Sequence, residues 1–118
     1  MTVSVGQTIA TLRARAERIR AAHATQAATL RERLATAIAT LLPSHAKAWL
    51  IGSLAWGGFG ERSDVDVVVR GLTPQAATRL DLALLRALEW TVEVLRFEEL
   101  PDSFRERILR EGIALHGR

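Results

Sequence analysis

The sequence predicts an α/β or α+β domain, and three observations carry that prediction. Apolar residues recur at helical spacing over residues 7–42 and again over residues 73–88. Val65 to Val69 is β-branched at every position but Asp66, which suits a buried strand. Thr91 to Phe97 alternates in polarity, which fits a second kind of strand with one face turned to solvent. Strands that alternate with helices in this way pack around one sheet.

Taken in order, Ile9, Leu12, Ala16 and Ile19, then Leu30, Leu34, Ile38 and Leu41, form an apolar stripe with arginines between them. This is one long helix or two. The stripe thins to alanine and threonine from His23 to Thr29, where a kink or break is expected. Pro43 and Ser44 close the region, because proline cannot continue a helix. Ala46 to Ile51 reads as a short strand ended by Gly52, and Ser53 to Phe59 allows a turn or two of helix before Gly57, Gly58 and Gly60 break it. Thr73 and Pro74 form an N-cap with proline at the first helical position, opening a helix to about Leu88 with Ala77, Leu80, Leu84, Leu85 and Leu88 inward. Pro101 ends the third strand. Asp102 or Ser103 then caps a last helix, with Glu106 completing a Ser-x-x-Glu capping box and Gly112 stopping it after Ile108 and Leu109. The predicted organisation is a helical region at residues 1–42 joined in one domain to a core at 43–118.

Composition excludes several classes. At 118 residues the chain buries one core and not two. With 48% apolar and 25% charged residues it is ordinary for a globular protein, and no apolar segment approaches the roughly 20 residues that span a bilayer. Met1 to Gln7 lacks a charged stretch followed by an apolar one, so no signal peptide is expected. Cysteine is absent, which excludes disulfides and thiolate metal sites and agrees with a cytoplasmic location. The net charge of +3 is unevenly placed: residues 1–42 hold six arginines against Glu17 and Glu32, whereas residues 43–118 sum to −1. The positive excess therefore lies on the N-terminal helical region, where Arg13, Arg15, Arg18 and Arg20 form either a solvated face or a dock for an acidic partner or RNA.

The chemistry concentrates between Ile51 and Val69. Gly52 and Ser53 at a strand end let backbone approach a ligand and offer N–H groups and a hydroxyl to phosphate oxygens. No Lys-Ser or Lys-Thr follows, and Gly57, Gly58 and Gly60 lack the dinucleotide-binding spacing, so neither a P-loop nor a Rossmann fingerprint is present. Asp64 and Asp66 lie two apart at the start of the apolar run and project from one face. Two such carboxylates repel unless a cation lies between them, and oxygen donors without His or Cys suit Mg²⁺ or Mn²⁺. Glu93 interrupts an apolar run between Val92 and Val94. Either alternation turns it to solvent, or it joins the aspartates as a third ligand if its strand lies beside theirs. His23, His45 and His116 share no ligand spacing, and Trp49 and Trp90 read as core.

Gly52-Ser53, ten residues, Asp64-Val65-Asp66 and a later strand acid at Glu93 together resemble the DNA polymerase β-type nucleotidyltransferase superfamily. Within it the chain is similar to the MNT (minimal nucleotidyltransferase) proteins, whose pattern runs Gly-Ser-x-Ala-Arg-Gly and then Ser-Asp-x-Asp. Here these are Gly52-Ser53-Leu54-Ala55-Trp56-Gly57 and Ser63-Asp64-Val65-Asp66, and the ending from Leu100-Pro101 to Gly112 also looks like that family's. The likeness covers roughly residues 30–115. Trp56 stands where the family usually has Arg, and Glu93 where it usually has Asp.

The resemblance implies a small mixed sheet carrying helices, with ATP as substrate and AMP transferred to a hydroxyl. It implies that Asp64, Asp66 and Glu93 hold two Mg²⁺ ions, and that Gly52 and Ser53 hold the β and γ phosphates. The implied partner is a HEPN-type toxin, modified on a tyrosine in a toxin–antitoxin pair, with neither membrane nor direct nucleic-acid binding. A non-catalytic antitoxin that acts by contact alone, and a transferase for a small molecule such as an aminoglycoside, are the alternatives.

Overall fold

The computed structural model describes residues 4–117. Its first helix, α1, runs unbroken from Val5 to Leu41. It opens on a capping box in which Ser4 Oγ accepts from the Gln7 N–H at 3.1 Å and Gln7 Oε1 accepts from the Ser4 N–H at 3.2 Å. The break expected between His23 and Thr29 does not occur. That stretch contains no Gly or Pro, its alanines are strong helix formers, and Thr25 and Thr29 donate to carbonyls four residues back without displacing the ladder. Leu42 leaves the helix in an extended conformation ahead of Pro43.

The remaining elements are β1 (Lys47–Ile51), α2 (Gly52–Trp56), β2 (Val65–Arg70), α3 (Pro74–Leu88), β3 (Val92–Arg96), a 3-10 turn (Phe97–Glu99), α4 (Asp102–Glu111) and β4 (Ile113–His116). The sheet order is β3-β2-β1-β4. β1 pairs antiparallel with β2 and with β4, while β2 pairs parallel with β3, so the sheet is mixed. Alternation then sorts the side chains into two layers. Ala48, Leu50, Val65, Val67, Val69 and Val92 face a core shared with Ala27, Leu30, Leu34 and Ile38 of α1 and Ala77, Leu80, Leu84 and Leu88 of α3. Trp49, Ile51 and Val68 face the other way, onto Phe97 and Ile108. That second layer is smaller, which leaves part of its face open.

Three details differ from the sequence reading, while the stop expected at Gly112 is met. Leu85, expected inward, is 44% exposed, because the buried face of α3 is narrower than the apolar stripe. The Ser103–Glu106 capping box does not form: α4 starts at Asp102, and Phe104 and Arg105 donate their N–H groups to the Pro101 carbonyl. Gly112 ends α4 with a negative φ, and glycine is required there because a Cβ would lie 2.6 Å from the Ile108 carbonyl oxygen. β4 was not expected, since four residues directly after a helix show too little period to be read.

The helix α1 is longer than the sheet that holds it. Its 37 residues extend about 55 Å at 1.5 Å per residue, whereas four strands about 4.8 Å apart make a much narrower bed. Only the C-terminal half is packed, starting at Ala27. Ile9, Leu12 and Ile19, expected as the inner stripe, are 43%, 57% and 50% exposed. No helix among the described residues is long and apolar enough to cross a membrane.

Burial separates the two halves energetically. Leu34→Ala or Ile38→Ala removes methyl groups from fully buried sites and is expected to cost about 2–5 kcal/mol. Leu12→Ala is expected to change stability by less than about 0.5 kcal/mol. Urea denaturation of the variants measures both, and a comparable loss from Leu12→Ala would overturn this account of α1.

Candidate functional site

The candidate side chains gather where β2 begins. β2 starts at Val65, so Asp64 lies in the preceding loop and is exposed, while Asp66 lies within the strand and is half-buried. Val65 and Val67 point into the larger core, which turns Asp66 to the smaller, partly open layer. The parallel register pairs Asp66 with Glu93. Val92 and Val94 pack toward the same core as Val65 and Val67, so Glu93 emerges on the open face beside Asp66.

Glu93 is exposed, as alternation predicts, and its strand lies beside that of Asp66, the condition set for its joining the aspartates. It still adjoins Asp66. Burial, the charges of Glu93 and Asp64, and a side-chain hydrogen bond with Glu93 all raise the Asp66 pKa, in that order of importance. Among the described residues none of the three carboxylates forms an ion pair. Three acids with no cation among them, all oxygen donors, are a chemically suitable set for a hard divalent ion. Among the described residues no three acidic or histidine side chains are already drawn together at ligand distance. Asp66 and Glu93 form the close pair, and Asp64 stands apart in its loop.

Gly52 and Ser53 follow directly from β1, whose Ile51 is the register partner of Asp66. Gly52 has φ +74°, and a Cβ there would collide with Asp66 Oδ2. Glycine is thus demanded twice, by backbone conformation and by the carboxylate against it. Ser53 opens onto a cleft of about 630 Å³ shared with Arg20, His23 and Arg31 of α1 and with the Gly57–Gly60 backbone. Arg31 also donates to the Leu54 carbonyl at 3.3 Å, which ties α1 to α2.

The loop from α2 back to β2 is braced by residues that the sequence does not mark as functional. Phe59 is buried with its ring centroid 5.5 Å from that of Trp90. Trp90 Nε1 donates to the Ser63 carbonyl at 2.7 Å, and Ser63 Oγ accepts from the Gly60 N–H at 3.0 Å. Trp90, expected as core, is half-buried and fixes the residue immediately before Asp64. Trp49 is buried as expected. Trp56 is turned toward α4: its Nε1 donates to the Glu111 carbonyl at 2.9 Å, and the Arg107 guanidinium lies 4.6 Å above its ring. Neither Arg107 nor Glu111 carries a sequence signal linking it to Trp56. Of the histidines, His23 lies 3.9 Å from Glu61, while His45 and His116 bond the backbone carbonyls of Gly71 and Pro43.

Comparison with known proteins gives this arrangement a setting. A family model described as a nucleotidyltransferase domain matches residues 31–115. No curated protein matches the chain significantly. A solved structure provisionally named a minimal nucleotidyltransferase is similar at 35% identity and TM-score 0.64, over 74% of this chain and 93% of its own. A toxin–antitoxin structure with AMP-PNP aligns at 21% identity and TM-score 0.62, over 74% and 73% of the two chains. A complex of a tri-AMPylated Shewanella oneidensis HEPN toxin with an MNT antitoxin aligns at 18% identity and TM-score 0.57, over 78% and 73%. At those lower identities the last two share the fold.

The raised Asp66 pKa gives a pH-dependent test. Because the folded value lies above the unfolded one, Asp66 contributes stability below the ordinary aspartate range and loses it as pH rises through the folded value. Asp66→Asn is therefore expected to stabilise the metal-free protein at neutral pH by up to about 1 kcal/mol, the scale of a like-charge cross-strand pair. That gain should vanish in acid. Urea midpoints across pH measure it, and a gain that persists unchanged at low pH would contradict the repulsion. Gly52→Ala is expected to cost about 1–3 kcal/mol through its positive φ and its collision with Asp66, read from the same denaturation curves.

Proposed function

Because the chain belongs to the nucleotidyltransferase domain family, we propose that it transfers AMP from ATP to a hydroxyl of a HEPN-type toxin, a tyrosine in the leading reading, and so acts as the antitoxin of the pair. The observation that carries the proposal is the register of β2 and β3, which sets Asp66 beside Glu93 with Asp64 two residues earlier and, among the described residues, no ion pair to any of the three. Fold likeness to antitoxins solved with HEPN toxins supports the choice of partner.

In this reading the acceptor oxygen attacks the α-phosphorus in line, the new O–P bond forms as the bond to the β-phosphate oxygen breaks, and pyrophosphate leaves. Bound Mg²⁺ would neutralise the triphosphate and favour the ionised acceptor. Asp64 and Asp66 would hold two such ions, with Glu93 sharing one. Gly52 brings backbone close to Asp66, and Ser53 offers its hydroxyl to the β and γ phosphates. The braced loop through Ser63 and Trp90 would fix the backbone just before Asp64, which is positioning and not chemistry.

Trp56 favours a second reading. It replaces the arginine of the related pattern and is held against α4 by Glu111 and Arg107, so the turn lacks one cation for phosphate. A protein that binds its partner without modifying it would retain the fold and tolerate that replacement.

Intact mass of a co-purified HEPN partner, with ATP and Mg²⁺, separates the two. The transferase reading expects an added mass of one AMP or a multiple of it. Asp64→Ala and Asp66→Ala are each expected to slow the transfer by at least about 10²–10³-fold while leaving the protein folded. No added mass with the intact protein would support inhibition by contact, and near-normal transfer by either variant would remove the aspartates from the mechanism. Chelation of divalent ions is expected to abolish the added mass, and transfer that continues under chelation would count against a metal-dependent site.

A further inference from the structure

The N-terminal half of α1 extends beyond the sheet and carries an apolar seam that nothing among the described residues covers. Val5, Ile9, Leu12, Ala16 and Ile19 follow one another at alternating spacings of four and three residues, the pattern of a helix seam made for another helix. Val5, Ile9, Leu12 and Ile19 are 76%, 43%, 57% and 50% exposed. Solvated helices do not need such a seam. The charged residues that border it are Arg13, Arg15 and Arg20, and Glu17, the acid of this stretch, lies away from the seam.

That border decides what can cover the seam. In a parallel pair with a second copy, Arg15 of one chain would face Arg20 of the other. In an antiparallel pair Arg15 would face Arg15, and Arg13 and Arg20 would face each other. Like charges at flanking positions oppose pairing, so a second copy is disfavoured in either orientation. Nucleic acid would satisfy the arginines and leave four large apolar side chains in water. We propose that this half of α1 docks an amphipathic helix of a partner protein whose own apolar seam is bordered by Asp or Glu. The seam spans roughly 20 Å from Val5 to Ile19, a length of about two heptads, so it serves best as an added contact in a complex also held elsewhere.

The apolar seam makes no use of Asp64, Asp66 or Glu93, and of its border only Arg20 also lines the Ser53 cleft, so variants at Ile9, Leu12, Arg13 and Arg15 test docking apart from transfer. Three labelled probes test it by anisotropy against the intact chain: a synthetic helix with Leu and Ile on its seam and Glu on both borders, the same helix with Lys borders, and a single-stranded oligoribonucleotide. Sedimentation measures self-association. The expected results are a chain that does not self-associate and binding of the Glu-bordered helix alone. Arg13→Glu with Arg15→Glu should weaken that binding roughly tenfold and shift preference toward the Lys-bordered helix. Ile9→Ser with Leu12→Ser should abolish binding to both helices, and Asp66→Asn should leave it unchanged. Any of four outcomes overturns the proposal: dimerisation lost in the Ile9/Leu12 variant, equal binding of the two helices, binding of neither, or binding of the ribonucleotide that depends on the arginines and not on Ile9 and Leu12.

Discussion

The repulsion between Asp66 and Glu93 is the constraint around which the rest of the structure is arranged. Two carboxylates side by side on adjacent strands push the strands apart, and the Asp66 pKa is raised first by its burial and then by the charges of Glu93 and Asp64. What holds them together is the layer beneath. Val65, Val67 and Val69 are fully buried against α1 and α3, and each such side chain contributes about 1.5–3 kcal/mol on burial. A like-charge pair costs less than that. The core therefore fixes the register, and the register fixes the acids.

The neighbouring elements hold the same site from three sides. Gly52 turns out of β1 with a positive φ and leaves room for the Asp66 carboxylate. Trp90, from the end of α3, reaches back to the Ser63 carbonyl and steadies the approach to Asp64. Arg31 ties α1 to the Leu54 carbonyl in the turn between β1 and the loop. Backbone carbonyls accept both of these side-chain bonds, which position a loop without adding charge to it.

α1 shows how one helix takes on two environments. From Ala27 to Ile38 its apolar side chains lie in the core, and from Val5 to Ile19 the same kind of spacing faces solvent. The difference is in length, since the sheet ends before the helix does. The arginines follow the exposed part, giving it the positive excess of the whole chain.

Much of this was legible from local signals. Thr73 and Pro74 start a helix because side-chain capping and a fixed φ act within one turn, and Val65 to Val69 reads as buried because four valines around the single polar Asp66 have few other uses. The spacing of Gly52, Ser53, Asp64 and Asp66 is also local and pointed to phosphate and metal chemistry. Other features depend on contacts between segments distant in sequence. Alternation could turn Glu93 outward, but only the parallel pairing of β2 with β3 sets it beside Asp66. The indole of Trp56 finds its partner 55 residues away, at the Glu111 carbonyl. β4 exists because β1 had a free edge to pair with. Periodicity gave Ile9, Leu12 and Ile19 the same apolar face as Leu34 and Ile38, because a periodic pattern records which side chains share a face and not what lies opposite. How far the sheet reaches along that face is set by tertiary packing.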